Sequence, residues 1–164
     1  MFKPRMARRS LERYRRRGLD ALERGMVATV DSDELAGARV LEIGGGIGTI
    51  QTELLAAGAD SGEVVELVAA YRPYARELAQ EKGLAERTTF RVVDLLTEPA
   101  AAEPAAVVVL NRVVCCSPEG VTLTRVAARL TRRDRVLPAG QCDQRERGGA
   151  HKVFHAVTGG STRR

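Results

Sequence analysis

The 164 residues include no tryptophan, only three cysteines and six prolines, and 4% aromatic side chains. So few aromatics leave no stacking platform for single-stranded nucleic acid. An odd, low cysteine count with Cys115 and Cys116 adjacent is not a disulfide framework. No apolar run approaches the roughly 18 residues that span a bilayer, the most continuous being Ala105 to Leu110. Collagen-like, disulfide-stapled and wholly disordered classes fall away on the same composition. A leader pattern is lacking too. Arg8-Arg9-Ser10 is followed by Gly18 to Glu34, which six charged residues interrupt, whereas an export signal needs an apolar stretch of about 7–15 residues. The sequence therefore predicts a cytoplasmic protein with no transmembrane segment. Its 44% apolar content predicts one buried core.

Charge is present in excess but unevenly. Residues 1–24 carry +6, residues 25–124 carry −8 and residues 125–164 carry +7, giving +5 overall. Basic ends of this kind suit an anionic partner, or they are arginines on solvated helix faces. Without aromatic interleaving, no specific nucleic-acid partner is expected.

Hydrophobic spacing predicts the elements. Leu11, Tyr14, Leu19, Leu22, Met26 and Val30 recur every three to five residues, which predicts one or two amphipathic helices interrupted at Gly18 and ending near Asp31-Ser32-Asp33. Ala38 to Ile43 reads as a strand, closed by Gly44, Gly45, Gly46 and Gly48 and followed by a helix over Thr49 to Ala57. The alternation repeats: a strand over Glu63 to Leu67, a helix with Pro73 in its first turn and Gly83 at its end, then a strand over Thr88 to Val93. Ala106 to Leu110 is a continuous aliphatic run suited to a central strand. Val121 to Leu130 reads as a helix, Arg135 to Leu137 as a stub of a fifth strand and Lys152 to Val157 as one edge strand. Alternating strands and helices mark a parallel sheet with crossover helices, an α/β doubly wound architecture.

The informative segment is Val40-Leu41-Glu42-Ile43-Gly44-Gly45-Gly46-Ile47-Gly48. A dinucleotide loop needs a small residue at position 49 counted from Gly44, and Thr49 stands there, so a nicotinamide-dependent reductase is disfavoured. An acid lies two positions before the first glycine, and a second acid, Glu66, ends the next strand at about the spacing expected of a ribose-binding carboxylate. Together these resemble motif I and the second strand of the class I S-adenosylmethionine-dependent methyltransferases. The resemblance implies a Rossmann-like, mainly parallel sheet of order 3-2-1-4 with any fifth strand beside strand four. It implies S-adenosylmethionine as cofactor, transfer of its methyl group to an oxygen or nitrogen of a small-molecule acceptor, and a site at the carboxyl ends of strands one and two.

By the same resemblance Glu42, Gly44, Gly45, Gly46, Gly48, Glu66, Leu67, Asp94, Leu95 and Asn111 are the candidate cofactor-binding residues. Glu42 would hold the loop and the cofactor's ammonium group, or bond the loop's own N–H groups. Asp94 would accept from the adenine amino group, or cap a turn, with Leu95 beside the adenine. Glu63 should point away from the crevice. The chain divides into a basic helical lid over 1–34, the cofactor-binding domain over 35–139 and an irregular basic tail over 140–164.

Tyr14 to Gly18 and the segment Asn111 to Pro118 look loosely like the magnesium protoporphyrin O-methyltransferase branch, which has a lid tyrosine and a histidine shortly before a proline after strand four. Tyr14 matches the first, and Cys116 stands in place of the second. Tyr14, Asn111 and Arg112 are the catalytic candidates; Arg112 would pair with a substrate carboxylate or be a solvated loop charge. The Asn111 segment lacks the proline turn of the enzymes that methylate exocyclic base amines. No metal is expected: Cys142, His151 and His155 lie among glycines with no paired cysteine motif. The alternative is a catalytically inactive or truncated relative that at most binds ligand. The sequence turns Arg- and Gly-rich near residue 129, which predicts incomplete C-terminal strands and an uncovered sheet edge open to self-association.

Overall fold

A computed structural model of the chain describes residues 4–114, 117–131 and the backbone of 136–137. The glycine-bounded apolar runs form the strands β1 (Arg39–Ile43), β2 (Ser61–Glu66), β3 (Thr88–Val92), β4 (Val107–Leu110) and β5 (Val136–Leu137). They lie in one sheet of order β3-β2-β1-β4-β5, every pairing parallel, which is the expected order with the fifth strand beside the fourth. Among the described residues nine helical segments are joined to it, six of α type and three short ones of 3₁₀ type; the α-helices are α1 (Pro4–Arg17), α2 (Ala21–Ala28), α3 (Ser32–Leu35), α4 (Thr49–Ala56), α5 (Arg72–Glu81) and α6 (Gly120–Arg129). Among these, α3 is not foreseen by the hydrophobic spacing. Asp31 at its N-cap and Glu34 three residues on form a reciprocal capping box, which turns the Asp-rich stretch into a short helix. The expected strand over 152–157 and the tail over 140–164 lie outside the described residues.

Period-two alternation sends β4 into two cores at once. Val107 and Val109 pack with Val40, Ile50 and Leu54 on the α4 face. Val108 and Leu110 pack with Leu41, Ile43, Val65 and the α6 residues Leu123, Val126 and Ala127 on the other. All four are at most 2% exposed, and each contributes roughly 1.5–3 kcal/mol of apolar burial. That makes β1 and β4 the fixed floor on which the loops at their carboxyl ends are placed.

The N-terminal helices are docked over those carboxyl ends. Ala7, Leu11 and Tyr14 form the buried stripe of α1, and Leu11 and Tyr14 pack with Leu19, Ile47 and Leu78. Gly18, with φ +64°, lets the chain turn into α2, whose Met26 enters the α4 core. Arg15 clamps α1 to α5 through Glu77 and Glu81. Among the described residues no helix is long and apolar enough to cross a membrane.

Candidate functional site

β1 delivers the chain directly into the glycine loop. Gly44 has φ +66° and donates its N–H to the Val65 carbonyl at 2.7 Å; a Cβ there would lie 2.5 Å from Cγ2 of Val113. Only glycine lets the loop turn this tightly beneath the segment after β4. At Gly45 the constraint is close approach, because a Cβ would come within 2.6 Å of the Glu42 carboxyl carbon. The loop is thus wrapped over Glu42.

Glu42 is 1% exposed and accepts from the Gln51 N–H at 2.9 Å. Gln51 is the third residue of α4, and Gly48 at the N-cap has no side chain to satisfy that end. Glu42 therefore serves as the helix cap from the neighbouring strand. Burial pushes its carboxyl up to about 8; the Gln51 N–H opposes the rise and the carboxylates of Glu23 and Glu66 add to it.

Glu66 ends β2 on the same side. Its two carboxylate oxygens accept from the N–H groups of Gly46 and Val68, each at 3.0 Å, so the acid bridges the glycine loop and the exit of its own strand. Next to it Leu67 is 63% exposed, an apolar shelf at the rim. Tyr71 lies over the loop: a Cβ on Gly46 would sit 3.5 Å from its ring. Burial, then the Glu66 carboxylate, raises the Tyr71 hydroxyl above its usual range.

The last wall comes from the N-terminal helices. Ser10 and Arg13 of α1, Glu23 of α2 and Asn111 after β4 complete a cleft of about 120 Å³ with Glu42, Gly44, Gly45, Gly46 and Tyr71. Glu23 is 3% exposed and closes a capping box with Asp20, the Asp20 N–H donating to it at 2.8 Å. Its other oxygen faces the Asn111 amide at 3.4 Å and the Arg13 guanidinium at 3.5 Å. Among the described residues the side-chain amide oxygen of Asn111 is buried without a hydrogen-bond partner.

Of the sequence-predicted residues, Glu42, Gly44, Gly45, Gly46 and Asn111 are brought to one cleft, with Gly48, Glu66 and Leu67 adjoining. Others are placed elsewhere. Asp94 accepts from the Leu96 N–H at 2.9 Å and so closes a turn. Leu95 is 3% exposed and belongs to the core with Ile43, Val65 and Leu110. Tyr14 is outside the cleft lining. Its hydroxyl donates to Glu53 and Lys82 sits 5.3 Å above its ring, while burial and Glu53 raise its pKa. Arg112, at φ +56°, pairs with Asp20 at 2.8 Å. Burial of Asp20 opposes ionisation, yet the Glu23 N–H and the Arg112 guanidinium hold its carboxyl below the usual range. Cys115, Cys116, Cys142, His151 and His155 lie outside the described residues.

Ser10, Arg13, Glu23 and Tyr71 were not legible as site residues. The one sequence signal for Glu23 was its spacing from Asp20, which marks a helix start rather than an inward-turned carboxylate. Among the described residues no group of histidine, cysteine, aspartate and glutamate is arranged to hold a metal ion. The cleft offers carboxylates, backbone N–H groups and a free amide oxygen, which suit a ligand bearing hydroxyls and positive charge.

No family model and no curated protein matches the sequence. Solved structures do match the fold. An S-adenosylmethionine-dependent methyltransferase from Thiobacillus denitrificans, in complex with S-adenosylhomocysteine, is 20% identical with TM-score 0.58, over 71% of this chain and 48% of that one. Magnesium protoporphyrin IX methyltransferase from Synechocystis PCC 6803, with bound S-adenosylmethionine, is 23% identical with TM-score 0.56, over 69% of this chain and 52% of that one. The cyclase SpnF is 21% identical with TM-score 0.56, over 66% of this chain and 40% of that one. The chain spans about half the length of the first two. It has the class I methyltransferase fold.

Proposed function

We propose that the cleft binds S-adenosylmethionine and that the protein transfers its methyl group to an oxygen or nitrogen of a small-molecule acceptor. The observation that carries this reading is the Glu66 bridge: an acid at the carboxyl end of β2 bonded to the glycine loop that leaves β1. The residues fit the cofactor's parts. Each Glu66 oxygen accepts a single N–H and keeps a lone pair for a ribose hydroxyl. Leu67 offers the adenine an apolar surface, and the unpartnered Asn111 oxygen offers an acceptor. When bound, the cofactor supplies an electrophilic methyl group on a leaving thioether that needs no acid. The chain's own work is then alignment and water exclusion, by the loop, Tyr71 and the α1–α2 lid. Asn111 and Arg112, at the rim after β4, stand on the acceptor side.

One observation favours a second reading, a relative that at most binds ligand. The cleft beneath α1 and α2 measures about 120 Å³, below the roughly 300–1,000 Å³ of ligand pockets. The solved cyclase of the same fold also supports activities other than methyl transfer. Calorimetric titration with S-adenosylmethionine and S-adenosylhomocysteine tests both readings. Micromolar binding by the protein, lost in Gly46→Arg and in Glu66→Ala, supports the cofactor site and justifies a screen of acceptors. Absence of binding by folded protein overturns the first reading and leaves the second.

A further inference from the structure

Three glutamates converge on the glycine loop from three different elements: Glu42 from β1, Glu66 from β2 and Glu23 from α2. The cations near them are fewer and looser. Arg13 of α1 faces Glu23 at 3.5 Å, beyond good hydrogen-bond length, and its side chain is 39% exposed to water. Arg112, after β4, is held by Asp20. Glu23 is nevertheless fixed in place, one oxygen by the Asp20 N–H and the other toward the Asn111 amide. A buried carboxylate held rigidly without a close partner is costly unless something positive arrives. The field is felt inside the cleft, since Glu23 and Glu66 both help to keep the Glu42 carboxyl protonated.

We propose that Glu23 makes this cleft a discriminator of ligand charge, binding the sulfonium form of the cofactor in preference to the thioether that remains after methyl transfer. The inference rests on the cofactor reading above and adds a specificity residue that the glycine-loop pattern does not contain. The two ligands share their ribose, adenine, ammonium and carboxylate and differ by one methyl group and one positive charge. Their affinity ratio therefore reports the charge and the methyl group together, and a third ligand must separate them. A cleft of this sign holds the incoming ligand and weakens its grip on the product, which favours turnover over product inhibition.

The test is a calorimetric titration of the whole protein, at fixed ionic strength, with S-adenosylmethionine, S-adenosylhomocysteine and sinefungin. Sinefungin carries an ammonium-bearing carbon where the cofactor carries its sulfonium, so it separates charge from methylation. The two cationic ligands should bind about tenfold more tightly than the thioether. Glu23→Gln should bring the three close to parity, and glutamine at that position keeps the capping box. Arg13→Gln should widen the ratio, and it decides the matter should Glu23→Gln fail to fold. Thioether binding as tight as sulfonium binding, or a ratio unmoved by Glu23→Gln, overturns the inference. If those ligands still bind and Gly46→Arg abolishes binding, the cofactor reading stands without it. No binding of any of the three overturns both.

Discussion

Two glutamates in adjacent strands, Glu42 in β1 and Glu63 in β2, are equally buried at 1% exposure and are treated in opposite ways. Glu63 faces the α6 side of the sheet and is gripped by Arg39 from β1 and Arg91 from β3, the latter at 2.7 Å. Arg39 also donates to the Glu103 carbonyl and Arg91 to that of Ala101, while nearby Arg87 ties down carbonyls at Leu55, Ala59 and Asp60. Each oxygen of the Glu63 carboxylate thus faces a guanidinium. Glu42 faces the α4 side and has only N–H groups, with two more carboxylates for neighbours. An end whose charges are mutually satisfied is a fastening. An end where negative charge is left over is arranged for a visitor.

That contrast can be broken at its strong end first. Arg39→Met with Arg91→Met leaves Glu63 buried and unpaired, and should cost about 3 kcal/mol in urea unfolding, near the low end for a buried pair because both arginines are partly hydrated. A loss below about 1 kcal/mol would mean that water already does the arginines' work.

The weak end carries a pH signature. Between the ordinary glutamate value of 4.5 and about 8, the folded state keeps a Glu42 proton that the unfolded chain has lost. Stability from this group is therefore full below that window, declines as pH rises through it, and levels off above. Glu42→Gln should flatten the decline and leave the variant ahead of the parent near pH 8, read from urea midpoints at several pH values. A variant that keeps the parent's slope would assign the decline to another group. The smallest effect lies between the two. Gln51, fully buried in α4, presses against the backbone at Gly62, and among the described residues neither polar atom of its amide has a hydrogen-bond partner. Gln51→Met should raise the unfolding midpoint by about 1 kcal/mol equivalent, and a loss of stability would reveal a water bound at that amide.

The strands were readable because apolar runs ended at glycines, and the loop because acid, strand and glycines stood in one short segment. Glu66 followed from its place at the end of the next run. Beyond that point local pattern stopped deciding. Tyr14 falls on the same helical stripe whether its hydroxyl meets a ligand or Glu53, and only the docking of α1 on α4 and α5 selects the second. Leu95 follows the acid that ends the third strand run, but the turn closed by Asp94 swings it under the sheet. Glu23 and Arg13 belong to the site because of a helix packed over it, and no spacing within either helix records that.

The register that sets Val40 against Val107 has a meaning for the chain as it is made. The sheet's middle strand is synthesised long before one of its two neighbours. While the ribosome is adding the residues between, β1 can pair with β2 yet shows a bare hydrogen-bonding edge where β4 will go, beside the apolar side chains of Val40, Leu41 and Ile43. Protection of the nascent protein from aggregation thus depends on how soon Val107 to Leu110 leave the exit tunnel, and slow codons just before them would lengthen the exposure.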